Sequence, residues 1–150
     1  MRIIRSNSGQ ATHILHASCV DLNGHGVLIL GASGSGKSAL SLELMALGAR
    51  LVADDRTEVR ADGDDVYATC PASIRGIIEA RGVGLLRAET TAASKIALVI
   101  DLDVPETERL PEQHTITIDD VALPLLRKIA APHFPAAILQ YLRAGRIESA

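Results

Sequence analysis

Residues 31–38 read GASGSGKS, which satisfies G-x-x-x-x-G-K-[ST] between the apolar run GVLIL and the leucine-rich SLELMAL. Each residue type in that stretch has a task in holding phosphate. Gly31, Gly34 and Gly36 let the backbone N–H groups of the loop, those of Ala32, Ser33 and Ser35 among them, converge on phosphate oxygens. A helix beginning after the loop adds the partial positive charge of its N-terminus. Lys37 bridges the outer phosphates, and the Ser38 hydroxyl can ligate Mg2+. The alternative is a flexible loop with Ser33 or Ser35 as a helix cap, but the strand-before and helix-after context favours phosphate.

Downstream, Asp54 and Asp55 end the short apolar segment RLVADD. A phosphotransferase needs one carboxylate to accept a hydroxyl proton and another to help hold the metal; a paired Asp at a turn or helix cap is the competing explanation. His16, on the strand before the loop strand, is placed to pair with a carboxylate or to be a structural histidine, with weaker cases for His13 and His25. Glu79 and Arg81, in EARG, are either a metal ligand with a phosphate partner or a solvated pair.

These residues need elements to position them. HILHASCVDL and HGVLIL flank Asn23-Gly24, a two-residue hairpin signal, so the pattern predicts a hairpin whose second strand feeds the loop. After the loop, Ala39, Leu40, Leu42, Leu44, Met45 and Leu47 predict a helix apolar nearly all round, hence buried, ended by Gly48. RLVADD reads as a strand, and TEVRADGDDVYAT as a hairpin turning within residues 61–65. From Pro71, the spacing of Ile74, Ile77 and Ile78 predicts one or two helical turns, followed by a strand at RGVGLL. KIALVIDL is a strand, and TITID and VALPLL flank Asp119-Asp120 as a hairpin. A last helix opens near Pro132 and Pro135, buries Ile138, Leu139 and Leu142 on one face, and ends at Gly145. The mixture predicts an α/β domain with strong antiparallel character.

The composition narrows the function classes. The 150 residues suit one domain spanning 1–150. Only three side chains are aromatic (Tyr67, Phe134, Tyr141), and the net charge is −3, so neither base stacking nor a basic nucleic-acid face is indicated. Cys19 and Cys70 lack metal or redox spacing and read as reduced core thiols. No segment has the length and apolarity of a signal peptide or membrane span, so a soluble cytoplasmic protein is expected.

Several segments together resemble one family. HASCVDLNGHGVLILGASGSGKSALSLELMALGARLVADD looks like the start of the catalytic domain of bacterial HPr kinase/phosphorylase, and IIEARGVGLL resembles that family's signature segment. The resemblance is good over residues 14–86. It implies a phosphate-loop domain of the phosphoenolpyruvate-carboxykinase-like type with a mixed sheet, in a homo-oligomer that is usually a hexamer. It also implies a protein-serine kinase that uses ATP, or in some members pyrophosphate, with Mg2+ to phosphorylate the phosphocarrier HPr. Many members also run the reverse phosphorylase reaction.

By resemblance, His16 is the active-site histidine, Lys37 and Ser38 are the phosphate and Mg2+ ligands, Asp54 is the general base and Asp55 supports the metal. Glu79 would be a further Mg2+ ligand and Arg81 the signature arginine. Two features depart from the pattern: Ala39 stands where the family usually has an acidic residue, and the Pro-Gly-Arg-Asn stretch before the last helix has no counterpart. The chain resembles a short, catalytic-domain-only member. The rival expectations are an ATP-binding sensor without transfer and a small-molecule kinase.

Overall fold

The structure is a computed structural model that describes residues 2–4 and 12–148; the polar segment 5–11 lies outside the described residues. The elements run β1 (Arg2–Ile4), β2 (His13–Leu15), β3 (Ala17–Leu22), β4 (His25–Leu30), α1 (Lys37–Ala46), β5 (Arg50–Ala53), β6 (Thr57–Asp62), β7 (Asp65–Thr69), a single 3-10 turn (Ala72–Ile74), β8 (Ile77–Ala80), β9 (Gly84–Arg87), β10 (Ala93–Pro105), β11 (His114–Ile118), β12 (Val121–Lys128) and α2 (Phe134–Ala144). The mixed α/β architecture with hairpins matches the expectation from pattern.

The principal sheet has the order β1-β11-β12-β10-β4-β3-β5. β10 lies at its centre and runs parallel to both β4 and β12. β3 is antiparallel to β4 and to β5, so β4 and β5 point the same way and deliver their C-terminal ends to one edge. That shared edge is where the glycine loop and the paired aspartates meet. A smaller set of strands, β2-β6-β7, joins through the first residues of β10, whose Ala93–Lys95 pair antiparallel with β7 before Ile96–Asp101 pair with β4. The sequence suggested one strand over HILHASCVDL. Instead the chain bends at His16, so that β2 pairs with β6 while β3 pairs with β4 and β5.

Period-two alternation divides the core. Val27 and Ile29 of β4 face α1 and α2 together with Leu98 and Ile100 of β10, whereas Leu28, Leu30 and Val99 face the smaller strands. α1 contributes Leu40 and Leu44, and α2 contributes Phe134, Ile138 and Leu139. Contrary to the expectation of burial all round, α1 buries one face only, and Ala39, Glu43 and Ala46 are exposed. Gly48, at φ 113, ends the helix as foreseen, with the Ala49 N–H reaching back to the Leu44 carbonyl at 3.0 Å.

The helix expected after Pro71 is replaced by the 3-10 turn and then β8. Gly76 takes a left-handed conformation with φ 74, which breaks a helical run. Beyond it, inward Ile78 alternates with outward Ile77 and Glu79, so the apolar spacing there is that of a strand. Asn23-Gly24 and Asp119-Asp120 form the two-residue turns of β3-β4 and β11-β12 with all four residues at positive φ. Cys19 and Cys70 are both buried and free, and burial with the nearby Asp21 charge pushes the Cys19 thiol far up. No helix among the described residues is long and apolar enough to cross a membrane.

β4 and β10 approach so closely at Gly26 that a Cβ there would lie 2.7 Å from Ser94 Oγ and 2.8 Å from the Lys95 carbonyl. Ser94 is itself held, donating to the buried Asp21 carboxylate. Gly26→Ala is therefore expected to lower stability by about 1–3 kcal/mol through overpacking, read as a lower urea midpoint.

Candidate active site

The glycine loop joins the end of β4 to the start of α1 with a backbone that requires its glycines. Gly36, the residue preceding α1, has φ 105, a left-handed conformation an L side chain rarely adopts. Gly31 is needed for space, since a Cβ there would come within 2.3 Å of Ser35 Oγ and 3.2 Å of Leu102 Cβ. α1 begins with no side-chain cap and no acidic residue in its first turn, so neither Ser33 nor Ser35 serves as the cap. Its positive end is thus left for an anion. Ser35 Oγ is the buried side-chain polar atom without a partner among the described residues. A buried hydroxyl lacking a partner is costly, and a phosphate oxygen would supply one.

Lys37 is buried and extends its ammonium back along the loop, donating to the carbonyls of Gly31 at 2.7 Å and Ala32 at 3.2 Å. Its Nζ also lies 3.8 Å from Asp55 Oδ1. Ser38, next on the helix, donates to Asp54 Oδ1 at 2.6 Å. The loop, the first turn of α1 and the end of β5 are in this way drawn into one cluster.

The two aspartates occupy different environments. Asp54 is 8% exposed. Its Oδ1 accepts from both Ser38 and Ser18, the latter at 2.9 Å, while Oδ2 accepts the Glu79 N–H at 3.0 Å. Asp55 has a side chain 61% exposed and meets His16 Nε2 at 2.7 Å. It sits at φ 67, an uncommon conformation for a non-glycine residue. Its N–H donates to Ser18 Oγ at 3.0 Å and its carbonyl accepts the Ala17 N–H at 3.0 Å. Asp54 is thereby held inward by three donors, and Asp55 faces solvent beside an imidazole and an ammonium.

Of the residues singled out in the sequence, His16, Lys37, Ser38, Asp54 and Asp55 lie within one contact network. Glu79 joins it through its main chain, with its side chain exposed, and Arg81 is exposed in the turn between β8 and β9. His13 belongs elsewhere, bonded to Asp119 at 2.9 Å. Among the described residues no group of three or more His, Cys, Asp or Glu is disposed to hold a metal alone. The chemistry of the Ser38, Asp54 and Glu79 oxygens nevertheless suits a hard cation that shares its ligand shell with phosphate oxygens.

Two participants escaped sequence reading. Ser18 bridges Asp54 and the Asp55 N–H. Asp103 accepts the Ala32 N–H with both oxygens, at 3.0 and 3.1 Å, and so fixes the loop to the end of β10. The alternation of Asp101 and Asp103 at the end of KIALVIDL was an available signal for the second; nothing local marks Ser18.

The profile described as the HPr Serine kinase C-terminal domain matches residues 9–127. The HPr kinase/phosphorylase of Exiguobacterium sibiricum is 38% identical over 128 residues, covering 77% of this chain and 41% of its own length. That of Stenotrophomonas maltophilia is 35% identical over 160 residues, covering 91% of this chain and 51% of its own length. The chain thus spans about half, or less, of these curated relatives. In three dimensions it is similar to the Hpr(Ser) kinase/phosphatase structure from Coxiella burnetii, with TM-score 0.73, 24% identity and coverage of 87% of this chain and 94% of that one. This likeness is one of fold, including the mixed sheet that carries the loop.

Ser18→Ala removes one donor to Asp54 and the acceptor of the Asp55 N–H. A loss of about 1–3 kcal/mol is expected for leaving buried polar groups unsatisfied, measured by urea unfolding.

Proposed function

Because the chain belongs to the family of the HPr serine kinase C-terminal domain, we propose that it is an ATP-dependent protein-serine kinase whose acceptor is the phosphocarrier HPr. The observation that carries this reading is the pair of aspartates at the mouth of the loop. One is tied to the loop serine at 2.6 Å, and the other is exposed beside His16 at 2.7 Å and Lys37 at 3.8 Å. Phosphoryl transfer needs little more from a protein than a phosphate cradle, charge stabilisation and an oriented nucleophile. ATP is the proposed donor, with its β- and γ-phosphates on the loop N–H groups and the end of α1.

Mg2+, when bound, neutralises charge on the phosphates; Ser38, Asp54 and Glu79 are the residues we assign to hold it. This exchanges the duties of the aspartates relative to the expectation from resemblance. Asp54, with its oxygens already engaged by Ser38, Ser18 and the Glu79 N–H, is the carboxylate beside the loop serine. Asp55 is the one open to an incoming hydroxyl, and it takes the proton as the serine oxygen attacks the γ-phosphorus in line, the bond to the β–γ bridging oxygen breaks and ADP leaves. His16 orients that carboxylate, Lys37 offsets charge developing on the transferred group, and Arg81, on the β8–β9 turn, is assigned the same task. Val83 and Leu85, 75% and 74% exposed, give the same hairpin an apolar edge suited to a protein acceptor. A cytoplasmic homo-oligomer belongs to the same reading.

Transfer of label from γ-labelled ATP to HPr tests the proposal. Asp55→Asn should lower the transfer rate by about 100-fold or more while ATP affinity stays near normal; near-normal transfer would remove Asp55 as the base. Asp54→Asn should instead raise the Mg2+ concentration needed for half-maximal rate. Lys37→Ala should weaken ATP binding itself in calorimetry, and an unchanged affinity would count against the loop as the phosphate site. The sensor alternative predicts ATP binding with no label on HPr. Pyrophosphate formed from phosphorylated HPr and inorganic phosphate would reveal the reverse reaction.

A further inference from the structure

The pairing of β4 with β10 ends at Leu30 and Asp101. Two residues further along each strand, the Asp103 carboxylate accepts the Ala32 N–H with both oxygens, at 3.0 and 3.1 Å. A side chain here carries into the glycine loop the fastening that the main-chain ladder provides up to its edge. We propose that Asp103 is a positioning residue for the donor phosphates, acting through the Gly31–Ala32 peptide to keep the Lys37 ammonium in place for them. The inference rests on the reading of the loop as the donor-phosphate site.

The first argument is the charge at each end of one peptide unit. Its oxygen, the Gly31 carbonyl, accepts from Lys37 Nζ at 2.7 Å, and its N–H, that of Ala32, meets Asp103. Each end of the peptide dipole thus faces a charge of the sign it prefers, and both contacts are charge-assisted. Turning this peptide over would set its carbonyl against the carboxylate and its N–H against the ammonium. Lys37 would then keep only the Ala32 carbonyl at 3.2 Å and the Asp55 carboxylate at 3.8 Å. Asp103 therefore secures the shorter and better of the bonds that hold the ammonium along the loop.

The second argument is how β10 aims the carboxylate. Asp101 pairs with Arg127 and Pro105 with Lys128, so Leu102, Asp103 and Val104 have no counterpart on β12. Irregularities of this kind redirect side chains at strand ends. The buried Asp101 accepts the Asp103 N–H at 2.9 Å, which fixes the main chain at that point. Packing gives no other account of Asp103, because its side chain is exposed and Ala32 is the carboxylate's partner among the described residues.

The third argument is what remains for phosphate. The motif suggested that the Ala32 and Ser35 N–H groups serve the cradle, but the first is engaged by Asp103 and the second donates to the Ala32 carbonyl at 3.0 Å. With these two engaged inside the chain, more of the task falls to the ammonium that Asp103 steadies.

The test compares Asp103→Ala and Asp103→Asn with the unsubstituted chain, by calorimetry of ADP and of pyrophosphate, each with Mg2+, by amide exchange at Ala32 and by urea unfolding. Asp103→Ala should weaken both ligands in parallel by about 10-fold, since the effect passes through the group that holds phosphate. Exchange of the Ala32 amide should quicken by about 10-fold in the same variant. Asp103→Asn keeps an oxygen that accepts the Ala32 N–H and should bring both affinities back to within about 3-fold of the unsubstituted protein. The urea midpoint should stay unchanged in both variants, as the position is exposed. Tighter binding in Asp103→Ala would make the carboxylate a competitor of the phosphates and overturn the proposal. Unchanged affinity or unchanged Ala32 exchange would overturn it too, as would a loss that Asp103→Asn fails to recover and that tracks a lower urea midpoint. Failure of the unsubstituted protein to bind either ligand would refute the loop reading itself, and this inference with it.

Discussion

A carboxylate buried at the end of a strand must be given donors, and at Asp54 they come from three separate elements: Ser18 of β3, Ser38 of α1 and the Glu79 main chain of β8. Charge-assisted hydrogen bonds of this kind are about twice as strong as neutral ones, and a buried carboxylate deprived of them is costly. Asp54 thus sets the distance between the loop helix and the strands beside it. It also ties β8 to the end of β5 through the Glu79 N–H, beside α1. The nearby positions of Asp55, His16 and Lys37 depend on this node, because the same Ser18 that donates to Asp54 accepts the Asp55 N–H.

Around that node the sheet solves a directional problem. A phosphate loop and an acidic pair can cooperate only if the strands carrying them end on the same side. Here they belong to strands separated by β3, and two successive antiparallel pairings restore a common direction. The central β10 contributes from the other side, with Asp103 accepting the Ala32 N–H. The loop is therefore held at its base by a carboxylate and at its end by the buried start of α1. Its outer face and the adjoining face of α1 remain open. That open face of Ala39 and Glu43 is the part of the helix that core packing does not need.

The sequence was most legible where local chemistry suffices. The loop motif, the Asn23-Gly24 turn, the Gly48 and Gly145 helix ends and the long apolar β10 are encoded by residues whose preferences act over a few positions. It was least legible where the same residues fit two periods. Ile74, Ile77 and Ile78 fit a helix by spacing alone, and only the left-handed Gly76 together with pairing to β9 selects a strand. Similarly, the apolar residues of α1 gave no hint that one face would be spared from the core, because which face is covered depends on where α2 and the sheet lie.

By itself, the sequence determined that the chain has a glycine-rich loop of the G-x-x-x-x-G-K-[ST] pattern between a strand and a helix, and that carboxylates, a histidine, a lysine and a serine are available to act with it. Those are properties of residue type and short spacing. Only the tertiary structure decided which aspartate is enclosed and which is open. Asp54 and Asp55 are adjacent and chemically identical, so nothing local separates them. Their difference arises from the bend at His16, the position of Ser18 on β3 and the positive φ of Asp55, which direct one carboxylate under α1 and leave the other beside the imidazole.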